Sequence, residues 1–80
     1  MTTIDYDRLE LIVESDIHEA NRGDFDIPTI VRKAKIETDG IYQGTIRVQS
    51  SKFIIWYDAN TYTQINGIGD ESGWVTHLYR

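Results

Sequence analysis

Apolar residues recur along the first quarter of the chain with helical spacing. At about 100° per residue, Tyr6, Leu9, Ile12, Val13, Ile17 and Ala20 fall within one sector, which predicts an amphipathic helix with these residues on its core face. Thr3 or Asp5 supplies a side-chain oxygen for the unpaired N–H groups of the first turn. Asp5, Asp7 and Glu10 suit the positive end of the helix dipole. Arg22 falls in the last turn, and Gly23 is the expected left-handed stop. Two residues break the pattern. Leu11 projects from the polar sector among Asp7, Glu14, Ser15 and His18, and Asp16 projects from the apolar one. A lone exposed leucine is ordinary protein surface, but a leucine ringed by acids also matches the anchor of a contact patch. Asp16 is expected at a fringe with water access, or in an ion pair with a sheet base such as Arg47, because a buried carboxylate needs a partner.

Residues 24–40 read two ways. Asp26 before Ile27-Pro28 marks a helix start with proline in the first turn, and Ile27, Ile30, Val31 and Ala34 fit a short amphipathic helix. Asp39-Gly40 is a hairpin-turn signal, pairing a strand that ends near Thr38 with one that starts at Ile41. The reading that accommodates both is a helical turn over 27–32 followed by a strand over about 33–38. Beyond that point the pattern is β. Ile41 to Gln49 is rich in β-branched residues, with Ile46 and Val48 on one face. Ser50-Ser51 is a turn, and Phe53 to Tyr57 is the most apolar segment and the expected central strand. Asp58-Ala59-Asn60 is a turn, Thr61 to Ile65 resumes β character, residues 67–73 read as a glycine-rich loop, and Trp74 to Tyr79 as a last strand. The expectation is an α+β domain over residues 1–80: an N-terminal amphipathic helix, with a second short helix as the variant, on one face of an antiparallel β-meander of three to five strands.

Length bounds the energetics. A chain of 80 residues buries only about 60–65% of the surface its unfolded form exposes, and roughly 3–5 kcal/mol of net stability is the expectation. Without cysteine there is no disulfide, which points to a reducing compartment. The longest apolar run, Phe53 to Tyr57, is too short to span a bilayer, and the start Met1-Thr2-Thr3-Ile4-Asp5 lacks the pattern of a signal peptide; a cytoplasmic location is expected. The net charge of −5 is unevenly distributed. Residues 1–26 carry eight acids and two bases, whereas residues 27–54 carry five bases and two acids. An acidic balance disfavours nucleic-acid or anionic-membrane binding and suits a chain that meets a basic surface.

Little in the sequence carries reaction chemistry. His18 and His77 have no partners at a metal-ligand spacing, and Asp24 and Asp26 lack the rest of an EF-hand loop. Asp70-Glu71 reads as a solvated turn rather than an acid–base pair. Ser50, Ser51 and Ser72 have no nucleophile-elbow context, and Gly67, Gly69 and Gly73 no phosphate-loop lysine. No enzymatic activity, cofactor or metal is expected.

The aromatics are more informative. Tyr42, Phe53, Trp56, Tyr57, Tyr62, Trp74 and Tyr79 lie in the β half. By alternation Lys52, Ile54 and Trp56 face one way and Phe53, Ile55 and Tyr57 the other, so neither face of this strand is fully polar. Some aromatics must therefore fill the core, lie under the 67–73 loop or anchor a partner. Their interleaving with Arg32, Lys35, Arg47 and Lys52 also fits single-stranded nucleic acid, but no RNP-like motif accompanies it.

The length, the lack of cysteine and motifs, and the acidic helix carrying Asp7, Glu10, Glu14 and Glu19 resemble small anti-CRISPR-type inhibitors of phages and mobile elements. A second resemblance is to bacterial immunity proteins, which cap basic nuclease toxins with acidic surfaces. These resemblances imply a non-enzymatic inhibitor that occupies a basic, nucleic-acid-binding surface of a larger host complex. The expected contact residues are Asp7, Glu10, Leu11, Glu14 and His18 on the helix, with Trp56, Trp74 and Tyr79 from the sheet. A homodimeric assembly module is the alternative.

Overall fold

A computed structural model describes residues 3–17, 23 and 25–69. Its elements are helix α1 (Tyr6–Asp16), helix α2 (Ile27–Arg32) and strands β1 (Lys35–Ile36), β2 (Thr45–Gln49), β3 (Phe53–Asp58) and β4 (Gln64–Gly69). The strands form one antiparallel sheet in the order β1-β2-β3-β4. This is the expected α+β arrangement. The strand expected over Trp74 to Tyr79 lies outside the described residues.

Local chemistry sets the helix starts. The Asp5 side chain accepts from the Arg8 N–H at 3.1 Å, which selects Asp5 over Thr3 as the cap of α1. At α2, Asp26 accepts from the Thr29 N–H at 3.5 Å and from its hydroxyl at 2.8 Å, with Pro28 in the first turn. The end of α1 differs from the expectation. The helix stops at Asp16, Ile17 is extended at φ −93°, ψ 137°, and Gly23 does not take the left-handed conformation of a helix stop. Ala20 and Arg22 lie outside the described residues. Ile17 is fully buried in the core, and Asp16 accepts a hydrogen bond from the Tyr57 hydroxyl at 2.8 Å. Asp16 does not meet Arg47, which lies on the other face of the sheet and pairs with Glu37 at 2.8 Å.

Leu9, Val13 and Ile17 from the first segment, Ile27 and Val31 from α2, and Ile46, Val48, Phe53, Ile55 and Tyr57 from the sheet form one core cluster. Burying each large aliphatic side chain contributes about 1.5–3 kcal/mol before the entropy of ordering is subtracted. The inner face runs in rows across the strands: Ile36, Ile46, Tyr57 and Gln64 in one, Val48, Ile55 and Gly67 in the next. Gly67 and Gly69 therefore belong to a strand, correcting the expected loop over 67–69; residues 70–73 lie outside the described residues. Their backbone groups pair with β3, and the main-chain ladder outweighs the low strand preference of glycine.

The 37–45 connection also departs from the expected two-residue hairpin. Gly40 and Gly44 both have φ +82°. The Gly44 N–H donates to the Glu37 carbonyl at 3.0 Å and the Glu37 N–H to the Thr45 carbonyl at 2.9 Å, a bulge with glycine at its left-handed position. The second glycine lets the loop lengthen, and β2 starts at Thr45 rather than Ile41.

The β3–β4 turn clamps the start of α1. Tyr62 takes a left-handed φ of 60°, a conformation that costs a non-glycine residue about 1–3 kcal/mol. Its ring is buried, and its hydroxyl accepts from the Asp5 N–H at 2.7 Å. Arg8 lies 4.6 Å over that ring and donates to the Thr61 carbonyl at 3.3 Å.

Candidate interaction surfaces

The solvent face of α1 carries Asp7, Glu10, Leu11 and Glu14. Helical geometry places Asp7 and Glu14 next to Leu11, four residues before and three after it. Leu11 is 70% exposed although α1 buries Leu9 and Val13 on its opposite side. Asp7 makes a loose 3.9 Å ion pair with Arg32, with both side chains in water, and such a pair contributes little. Glu10 and Glu14 have no ion-pair partner among the described residues. The one base on this stretch, Arg8, is drawn off to Tyr62 and Thr61. The helix thus presents an apolar side chain within a negative field. His18 lies outside the described residues.

The outer face of the sheet has its own order. One row across all four strands reads Lys35, Arg47, Trp56 and Asn66, and the next reads Gln49, Ile54 and Ile68. Trp56, expected as a contact anchor, is only 9% exposed in the chain by itself. Tyr42, from the long β1–β2 connection, stacks on it at 4.3 Å and 9° between ring planes, and the Asn66 side-chain amide donates to the Tyr42 hydroxyl at 3.0 Å. Alternation along β3 identified the face of Trp56 but not its cover. Trp74 and Tyr79 lie outside the described residues. Ile68 is 58% exposed and directly opposite Ile54, in a stretch whose glycines suggest a loop; Ile41 is 94% exposed in the loop of Tyr42, where the β-branched pattern suggests the start of a strand.

The surroundings of Tyr57 and Asp58 displace their titrations. Burial, then the charge and hydrogen bond of Asp16, hold the Tyr57 phenol far above the usual tyrosine range. The Asp58 carboxyl is held below the usual carboxylate range by the backbone N–H groups of Thr61 and Asn60, at 3.0 and 2.7 Å. Asp58 is a turn former and Tyr57 a core group. Among the described residues no three His, Cys, Asp or Glu side chains gather as a metal site, and no helix is long and apolar enough to cross a membrane. No family model, curated protein or solved structure matches the chain.

Proposed function

We propose that this chain is a non-enzymatic binding protein whose α1 face docks on a basic, nucleic-acid-binding surface of a larger complex such as a CRISPR effector. The observation that carries the reading is Leu11, 70% exposed between Asp7 and Glu14, with Glu10 and Glu14 unneutralised among the described residues. Burying a leucine removes about 1.5–3 kcal/mol of exposed apolar cost, enough to anchor a contact, while the acids steer encounter with cations. A basic nuclease toxin presents the same chemistry and is the nearest alternative partner.

The test begins with capture of partners from bacterial lysate on tagged chain, followed by purification of whatever high salt releases. The reading expects a protein whose nucleic-acid binding is lost on adding equimolar chain. It also expects E10K/E14K to slow association and reduce its salt dependence, and Leu11→Ala to weaken affinity about 10- to 100-fold. Unchanged on-rate and affinity in both variants would sink it. A second reading, a homodimer through the outer face, draws on exposed Ile68 beside half-buried Ile54; a solution mass of twice 9.3 kDa that reverts in Ile68→Lys would favour it.

A further inference from the structure

The bases of residues 27–54 are not scattered over the surface. Lys33, just past the end of α2, Lys35 on β1, and Arg47 and Gln49 on β2 line one groove of about 250 Å³. Lys35 and Arg47 are direct cross-strand partners. Like charges placed opposite each other destabilise a sheet, and Glu37 already offsets part of this cost on the Arg47 side. One base is already fixed. Glu37 accepts from Arg47 Nε at 2.8 Å, which holds the guanidinium in place. Lys33 and Lys35 are exposed and have no ion-pair partner among the described residues. Gln49 adds a neutral amide donor on the same rim.

We infer that this groove binds a phosphate group. A carboxylate has two oxygens in one plane and is best matched by the open fork of a single arginine. Here the arginine's Nε is taken by Glu37 and two lysines line the same groove, so the donors come from three separate side chains. That spread suits the several oxygens of a phosphate. The groove borders the outer-face row that continues to Trp56 under Tyr42, so the phosphate has two sources: a free phosphate or nucleotide, or the backbone of a nucleic-acid strand.

The test is an NMR titration of the ¹⁵N-labelled chain at low ionic strength with inorganic phosphate, pyrophosphate, a short oligothymidylate and a glutamate-rich peptide, with sodium chloride at matched ionic strength as the blank. The expected result is saturable shifts confined to Lys33, Lys35, Arg47, Gln49 and their sequence neighbours, with pyrophosphate saturating below phosphate. K33Q/K35Q removes two exposed charges without touching the Glu37 pair, and it should raise the half-saturation concentration about fivefold or more while the rest of the spectrum stays in place. Tighter binding of the oligothymidylate per phosphate assigns the source to a strand; equal or weaker binding assigns it to a free phosphate. Shifts that do not saturate, that spread equally to Lys52 and Arg8, or that persist unchanged in K33Q/K35Q would overturn the assignment. So would binding of the glutamate peptide more tightly than pyrophosphate. Apart from Arg8 as an off-site control, none of these readouts involves α1, so the groove and the docking reading fail separately.

Discussion

The hydrogen bond from the Tyr57 hydroxyl to Asp16 is the polar contact on which the junction of α1 with the sheet turns. Tyr57 is fully buried, and the bond spans 2.8 Å to a half-buried carboxylate at the last residue of the helix. Hydrogen bonds to charged groups contribute about 1.5–3 kcal/mol, roughly twice a neutral pair. Tyr57→Phe keeps the ring in place and removes only the hydroxyl, so it should cost about that amount. Against a total of roughly 3–5 kcal/mol for a chain of this size the loss is large. At about 4–8 °C per kcal/mol it lowers Tm by roughly 6–24 °C. Asp16→Asn leaves an acceptor in place and should cost less. In the cycle completed by the double variant, a coupling of about 1 kcal/mol or more between the two positions is expected from urea midpoints at constant m.

The same bond sets an alkaline limit. Burial and Asp16 raise the phenol's pKa in the folded chain above its unfolded value of about 10. A raised folded pKa contributes stability that is complete below the unfolded pKa and is lost as pH rises. The loss begins near pH 10, where the unfolded phenol ionises and the folded one does not, and proceeds at about 1.4 kcal/mol per pH unit. Phenylalanine has no such titration, so the stability gap between wild type and Tyr57→Phe should narrow above pH 10 and stay constant from pH 7 to 9. A Tyr57→Phe cost below about 0.5 kcal/mol, a coupling near zero, or a gap that does not narrow in alkali would refute the assignment of this bond as the lock between α1 and β3.

Two further substitutions follow from the same geometry. The side-chain nitrogen and oxygen of Gln64 are buried with no hydrogen-bond partner among the described residues, and an unsatisfied buried amide costs about 1–3 kcal/mol. Gln64→Met, of similar length and apolar, should therefore raise the urea midpoint, and a fall would show that the amide is satisfied. Gly44 holds φ +82° in the β1–β2 bulge with open space where a Cβ would stand, so Gly44→Ala should cost about 1–2 kcal/mol from backbone conformation alone. Gly44→Asn should cost less because asparagine tolerates that region; equal melting temperatures for the three chains would remove the glycine's role.

How much of this fold the sequence discloses depends on how local the cause is. Helix α2 is legible because Asp26, Pro28 and the Ile27-Ile30-Val31 spacing act within two turns, and the structure places its boundaries at 27 and 32. The centrality of β3 is legible because only a strand flanked on both sides buries so apolar a segment. The end of α1 is not legible, because the apolar period continues smoothly through Ile17 while the chain turns away to meet Tyr57. Periodicity records which side chains are buried, and Ile17 is buried, but in an extended residue. The Asp39-Gly40 signal is real as a turn and misleading as a register, because Gly44 supplies a second left-handed residue and the longer loop delivers Tyr42 onto Trp56. On the candidate surfaces the sequence discloses Leu11 and its acids, which depend on one helix. It does not disclose the groove of Lys33, Lys35, Arg47 and Gln49, which exists only once β1 pairs with β2.

That pairing also changes what the net charge means. Taken as a sum, −5 argues that this chain repels phosphate. The sum assumes that every charge is felt everywhere. The fold separates them: α1 covers the inner face and turns Asp7, Glu10, Leu11 and Glu14 away from the sheet, while Lys35 and Arg47 stand on the outer face. Packed layers lie on the order of 10 Å apart, and the charged side chains extend beyond each layer, so the two groups are separated by more than a Debye length of about 8 Å at physiological salt. At that ionic strength each face acts on its own neighbourhood, and the acids of α1 attract cations without cancelling the attraction of the groove for anions. At about 0.01 M salt the Debye length grows to about 30 Å and the faces are felt together. Phosphate affinity at the groove is then shaped by two opposed effects of lowering salt, stronger local attraction and a stronger repulsion from the far face. Its salt dependence should be shallower than three cations alone would give, and reversing Glu10 and Glu14 should steepen it.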